Sequence, residues 1–192
     1  MMHTLERYFI PKGEPVNEMT DGIAEALLRT VIKYGTVALE NPRDYQAQSE
    51  IMWAGSLSHN GITGLGRNMD FSVHQLGHEL GGRWNVAHGA SLTTMWASWA
   101  RYNFSHNPER FANYAEKVWG AKTAEEGIDK TEAFFKSIGL PTCFTELEIG
   151  VQSDDVLNEL AYSCVFQGTR KVGTFNPLDQ NDIFEIYKLA NR

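Results

Sequence analysis

DFSVHQLGHELGGRWNVAHGA, residues 70–90, decides how this chain is read. His74 and His78 are four residues apart, so on a helix they share one face, a turn apart. Asp70 reads as the N-cap of a helix running through Leu80, and Gly81-Gly82 as its stop. That break lets the chain reverse and aim His88 at the same point as the first two imidazoles. Neutral imidazole binds zinc, iron and similar divalent ions. Three of the six histidines lie in this one segment. Spacing alone therefore gives a metal or catalytic site, with incidental histidines as the alternative.

Outward from this segment the period stays helical. Residues 15–34 place Ile23, Ala26, Leu27, Val31 and Tyr34 on one stripe, with Gly35 as a C-cap. Asn41-Pro42 reads as a cap and first helical proline for a helix over 42–58. In that helix Ile51, Met52, Trp53 and Leu57 alternate with polar residues. The stretch 60–69, with Gly61, Gly64 and Gly66, reads as a loop. A helix from His88 to about Tyr102 carries Leu92, Met95, Trp96 and Trp99, which makes it the central one. Shorter helices are expected over 108–119, 122–138, 153–165 and 179–190. Strand signals are nearly absent. The fold class is all-α, a bundle-like arrangement of seven to nine helices. The chain opens inside an apparently amphipathic helix with no cap before it, which reads as a piece of a longer protein.

Composition excludes several classes. The 192 residues carry 17 basic and 24 acidic groups, a net charge of −7, with no basic block, which argues against nucleic acid as a partner. Ten Phe, seven Tyr and five Trp are too many apolar anchors for a disordered chain. No uncharged apolar run approaches the roughly 20 residues of a membrane span. Cys143 and Cys164 form no CxxC motif and read as buried free thiols. MMHTLERYF has no signal-peptide pattern, so the reading is cytoplasmic. Asn103-Phe104-Ser105 is then a chance glycosylation match.

A zinc-protease reading of the histidines fails. It needs HExxH, and Gln75 stands where the general base belongs. The extended pattern needs a third His where Trp84 stands.

The same histidines resemble those of the iron-containing alcohol dehydrogenase family, in its butanol dehydrogenase and aldehyde reductase branch. His74, His78 and His88-Gly89 match that family's pattern in type and spacing. The opening His3-Thr4-Leu5-Glu6-Arg7-Tyr8-Phe9 is similar to the family's metal-binding His and the run after it. The closing QGTRKVGTFNPLDQNDIFEIYKLA resembles the family's C-terminus. The resemblance covers the whole chain, residues 1–192, and about half of the usual protein. It implies a dehydroquinate synthase-like C-terminal helical domain with its first helix truncated, lacking the α/β nucleotide-binding domain. It implies metal ligation by His3, His74 and His88. His78 would be the catalytic and cofactor-contacting group, beside the metal, the nicotinamide and the substrate oxygen. The cofactors implied are a divalent metal, Fe2+ or Zn2+, and NAD(P). The metal would polarise the oxygen of a small alcohol or aldehyde.

Two departures follow from the same comparison. A metal-binding Asp would lie just before Met1, so three neutral imidazoles remain, which tilts preference away from ferrous iron. The nucleotide-binding half is absent, and the glycines at 61, 64 and 66 do not replace its GxGxxG. The chain alone is expected to be inactive, and either to self-associate as a homo-oligomer or to lack a nucleotide-binding partner. The alternatives are a non-catalytic metal-binding or interaction module, or one half of a split enzyme.

Other residues have plainer readings. Asp70 is a cap rather than a substitute ligand. His59 and His106 are surface groups. Trp53, Trp84, Trp96 and Trp99 build the core. Glu79 either orients His78 or is a solvated charge.

Overall fold

Helical periodicity carries through almost the whole chain. A computed structural model describes residues 1–192 and contains nine α-helices, two 3-10 turns and no strand beyond one isolated bridge, Val172 with Leu178. The helices are α1 (Met2–Tyr8), α2 (Glu18–Glu40), α3 (Tyr45–His59), α4 (Ser72–Trp84), α5 (His88–Asn103), α6 (Pro108–Trp119), α7 (Ala124–Ser137), α8 (Asp154–Cys164) and α9 (Gln180–Ala190). The all-α class and the central position of α5 hold. Helix α5 packs against α4, α7 and α9, and it is buried continuously from Ser91 to Ala100. Trp96 and Trp99 sit at its heart, with Phe9 stacked on Phe111 at 4.3 Å beside them. No helix is long and apolar enough to cross a membrane.

Several helix ends differ from the sequence reading, because glycine alone does not stop a helix and local capping decides between neighbouring candidates. Helix α2 runs through Gly35 to Glu40. A Cβ at Gly35 would lie 3.1 Å from the Phe134 ring, so this glycine serves close packing within the helix. The buried stripe of α2 is Ala24, Leu27 and Leu28, while Ala26 faces solvent. Asn41 closes α2 rather than opening α3, and the Asp44 side chain caps α3 by accepting from Ala47 N at 2.9 Å. Helix α4 continues through Gly81-Gly82 to Trp84, where Asn85 takes the left-handed turn at φ 53°. Its N-cap is Phe71 rather than Asp70. Trp53 is 63% exposed and Trp84 half-buried, so only Trp96 and Trp99 fill the deep core. The two cysteines are free and buried, as expected, and Asn103 is buried inside the fold.

Helix α1 is short, yet it is held from several directions. Arg110 of α6 donates through Nε to the Tyr8 carbonyl at 2.7 Å and lies over the Tyr8 ring at 3.7 Å. Its Nη atoms meet both Asp21 oxygens at 2.5 and 2.6 Å, and Arg67 adds a third bond to Asp21 at 2.6 Å. The Thr4 and Ser58 hydroxyls meet at 2.9 Å, and Arg7 donates to the Ser58 carbonyl. These contacts tie α1 to α2, α3 and α6, and they fix where His3 and Glu6 point.

Candidate metal centre

Five of the six histidines come together, from four different helices. The ring centres run His59–His3 at 4.3 Å, His3–His74 at 4.5 Å, His74–His88 at 5.3 Å and His88–His78 at 5.4 Å, with His74–His78 at 6.0 Å. His3 comes from α1, His59 from the end of α3, His74 and His78 from α4, and His88 from the start of α5. All four histidines singled out from the sequence are therefore neighbours. His59, a lone surface group by sequence, is exposed, but it lies against His3. No motif marks it, because its neighbour is 56 residues away in sequence. His106 stays apart and exposed, as expected.

His74 is the buried member, only 6% exposed. Its Nδ1 contacts the Glu6 carboxylate, while its Nε2 is buried with no hydrogen-bond partner. An orphaned buried acceptor is costly. With the ring proton on Nδ1 this nitrogen is a free electron-pair donor beside other imidazole rings, which fits a borderline divalent cation. Burial, then the neighbouring His74, His59 and Arg7, pushes His3 down to about 4. Burial, then His74 and His78, lowers His88. Ligands must be neutral imidazoles, and these shifts keep both that way at neutral pH. Burial pushes the Glu6 carboxyl up, against the pull of the His74 hydrogen bonds. In the structure the rings pack on one another, and no three ligating groups surround a single point. The donor set fits a metal, and the side chains must turn to close on it.

Close helix packing makes the cluster possible. A Cβ at Gly77 would lie 2.9 Å from both Leu92 Cδ2 and Ser91 Oγ, so only glycine lets α5 approach α4 this closely. A Gly77→Val change gains helix propensity worth less than about 1 kcal/mol. It must also push α5 outward, at an overpacking cost of about 1–3 kcal/mol. The expected result is a lower melting temperature and a smaller rise on adding Zn2+, as His88 moves away from His74. Calorimetric melts with and without the ion check both.

Asp70 is a clamp. One oxygen accepts from Thr174 N and Phe175 N, each at 2.8 Å, and the other from Ser72 N at 3.0 Å and the Ser72 hydroxyl. Both oxygens are thus engaged, and Asp70 is no spare ligand. It supports Phe71, whose φ of 52° is left-handed and costs about 1–3 kcal/mol in a non-glycine residue. The Phe71 ring lies 5.1 Å from His74 and 5.8 Å from His3. Glu79 makes no side-chain hydrogen bond to His78. The carboxylate that meets the cluster is Glu6, whose contact is tertiary and left no local trace.

Comparison with known proteins matches this architecture. The profile described as "Fe-containing alcohol dehydrogenase family, C-terminal" covers residues 1–191. NADH-dependent butanol dehydrogenase A of Clostridium acetobutylicum is 36% identical over 98% of this chain and 49% of its own length. The NADPH-dependent aldehyde reductase YqhD of Escherichia coli is 33% identical over 73% of this chain and 38% of its own. The crystal structure of NADH-dependent butanol dehydrogenase A from Thermotoga maritima superposes with a TM-score of 0.89 at 26% identity, over 99% of this chain and 50% of that one. The chain thus spans about half the length of these butanol dehydrogenases. It belongs to the iron-containing alcohol dehydrogenase family and corresponds to the C-terminal domain of its members.

Proposed function

We propose that this chain is the metal-binding half of a metal-dependent, NAD(P)-linked alcohol dehydrogenase or aldehyde reductase. The observation that carries the reading is His74, buried, with Nε2 unpartnered and three other imidazoles, His3, His88 and His78, next to its ring. His3, His74 and His88 are the ligands in this reading. When bound, a divalent ion supplies Lewis-acid polarisation of an alcohol or aldehyde oxygen. His78, exposed at the rim and 5.4 Å from His88, is the polar group that meets the substrate oxygen and the nicotinamide. The apolar wall of Phe71 limits water on the His3 and His74 side. Hydride transfer needs a cofactor held and oriented opposite this face. The kinship with the dehydrogenases above supports a small alcohol or aldehyde as the substrate class, and a cytoplasmic location is part of the same reading.

The test is a chimera in which this chain replaces the corresponding half of the clostridial butanol dehydrogenase. The expected result is metal-dependent reduction of a short aldehyde by NADH, with no turnover by the 192-residue chain alone. A folded, metal-loaded chimera without turnover would overturn the proposal, as would turnover by the isolated chain.

A further inference from the structure

Helix α4 begins without help from its own N-cap, because Phe71 offers no side-chain acceptor. The first-turn N–H groups of a helix need outside partners. Two carboxylates from elsewhere provide them. Asp70 accepts from Ser72 N at 3.0 Å, and Glu6 of α1 accepts from His74 N at 2.9 Å. Glu6 is 1% exposed, and its second oxygen meets Nδ1 of the same histidine. A single carboxylate therefore meets both the backbone N–H of His74 and its ring Nδ1.

That arrangement bears on three things at once. It places α1 against the start of α4. It holds the imidazole plane. An ionised carboxylate at Nδ1 favours the ring proton there, which leaves the lone pair on Nε2, the buried nitrogen that has no partner in the protein. Histidines that bind metals are characteristically oriented in this way by a carboxylate behind the ring. Glu6 also brings a buried carboxylate one hydrogen bond from the imidazoles.

We infer that Glu6 is a positioning residue of the metal centre, fixing His74 as an Nε2 ligand. The inference rests on the reading of the histidine cluster as a metal site. Its chemistry makes a sharp demand on the isosteric amide. His74 presents two donors, and the amide introduced by Glu6→Gln offers only one acceptor oxygen. Either the NH2 group meets an N–H, or the ring shifts its proton to Nε2 and loses the ligating lone pair.

The experiment uses the full chain with Glu6→Gln, with His74→Ala beside it. Zn2+ affinity is measured by competition with a chelator, and the His74 tautomer by 15N chemical shifts of the metal-free protein. In the unaltered chain His74 is expected as the Nδ1–H tautomer. In Glu6→Gln the expected result is a shift toward Nε2–H and a loss of Zn2+ affinity of about 10- to 100-fold. A purely structural role would not move the tautomer. If His74→Ala abolishes binding but Glu6→Gln leaves affinity and tautomer unchanged, the inference fails and the metal reading stands. If the unaltered chain binds no Zn2+, the metal reading fails, and the tautomer still reports on Glu6. Should Glu6→Gln not fold, an Nε2–H tautomer in the unaltered chain alone overturns the inference.

Discussion

Replacing His74 by alanine is expected to lower Zn2+ or Co2+ affinity by more than about a hundredfold, beyond the roughly 10- to 100-fold cost of losing an outer-shell partner. Every other imidazole of the cluster is partly or fully exposed, so its nitrogens have water as an alternative partner. His74 differs, because its Nε2 is buried and has no hydrogen-bond partner in the protein. Metal binding repays a desolvation cost that folding has already incurred. The substitution also leaves Glu6 buried without its ring partner. A Glu6→Gln/His74→Ala double variant therefore serves as a stability control. A double variant that melts near the unaltered chain while metal binding is still lost separates ligation from folding. Retention of tight binding in His74→Ala would contradict the assignment.

The second large effect lies away from the histidines. Arg110→Ala is expected to destabilise the fold by about 3–5 kcal/mol, the usual cost of stranding one partner of a buried ion pair. Arg110 is 3% exposed, makes a bidentate pair with Asp21 and donates to the Tyr8 carbonyl. Arg67 remains beside Asp21, which places the effect toward the lower end of that range. For a chain of this length about 2–4 °C of melting temperature accompanies each kcal/mol, so a fall of roughly 6–20 °C is expected in a thermal melt. A change under about 1 kcal/mol would show that α1 is held mainly by its apolar contacts.

The same pair has a pH signature. Asp21 is buried, and although burial alone would raise its carboxyl, the Arg110 and Arg67 guanidiniums hold it below its ordinary value of 3.8. A depressed acid stabilises the fold fully above the unfolded value. The contribution is then lost as pH falls from about 3.8 through the lower folded value. Acid unfolding curves of the unaltered chain and Asp21→Asn should therefore converge at the acid end of this window.

The helical class, the central α5 and the His74, His78, His88 trio were legible because each rests on a short-range period. The i,i+4 spacing and the glycine-bearing reversal are local facts. The helix stops were misread for the opposite reason. Gly35 and Gly81-Gly82 look like punctuation, but packing against Phe134 and the continuation of α4 to Asn85 decide what they do. Trp53 shows the same limit, since aromatic character does not say which face of α3 finds a partner. His59 and Glu6 were illegible as site residues. Their neighbours, His3 and His74, lie on other helices and far along the chain, and nothing near them in sequence records the meeting.

The central claim is that the histidines of α1, α4 and α5 form one metal centre. The most direct measurement is metal content per chain after saturation with Zn2+ and exhaustive dialysis, in the unaltered protein and in a His3→Ala/His74→Ala/His88→Ala variant. The account predicts about one ion per chain in the first and almost none in the folded variant, the occupancy of a single site made by these ligands. Equal loading of the two, or no retained metal in either, would contradict it.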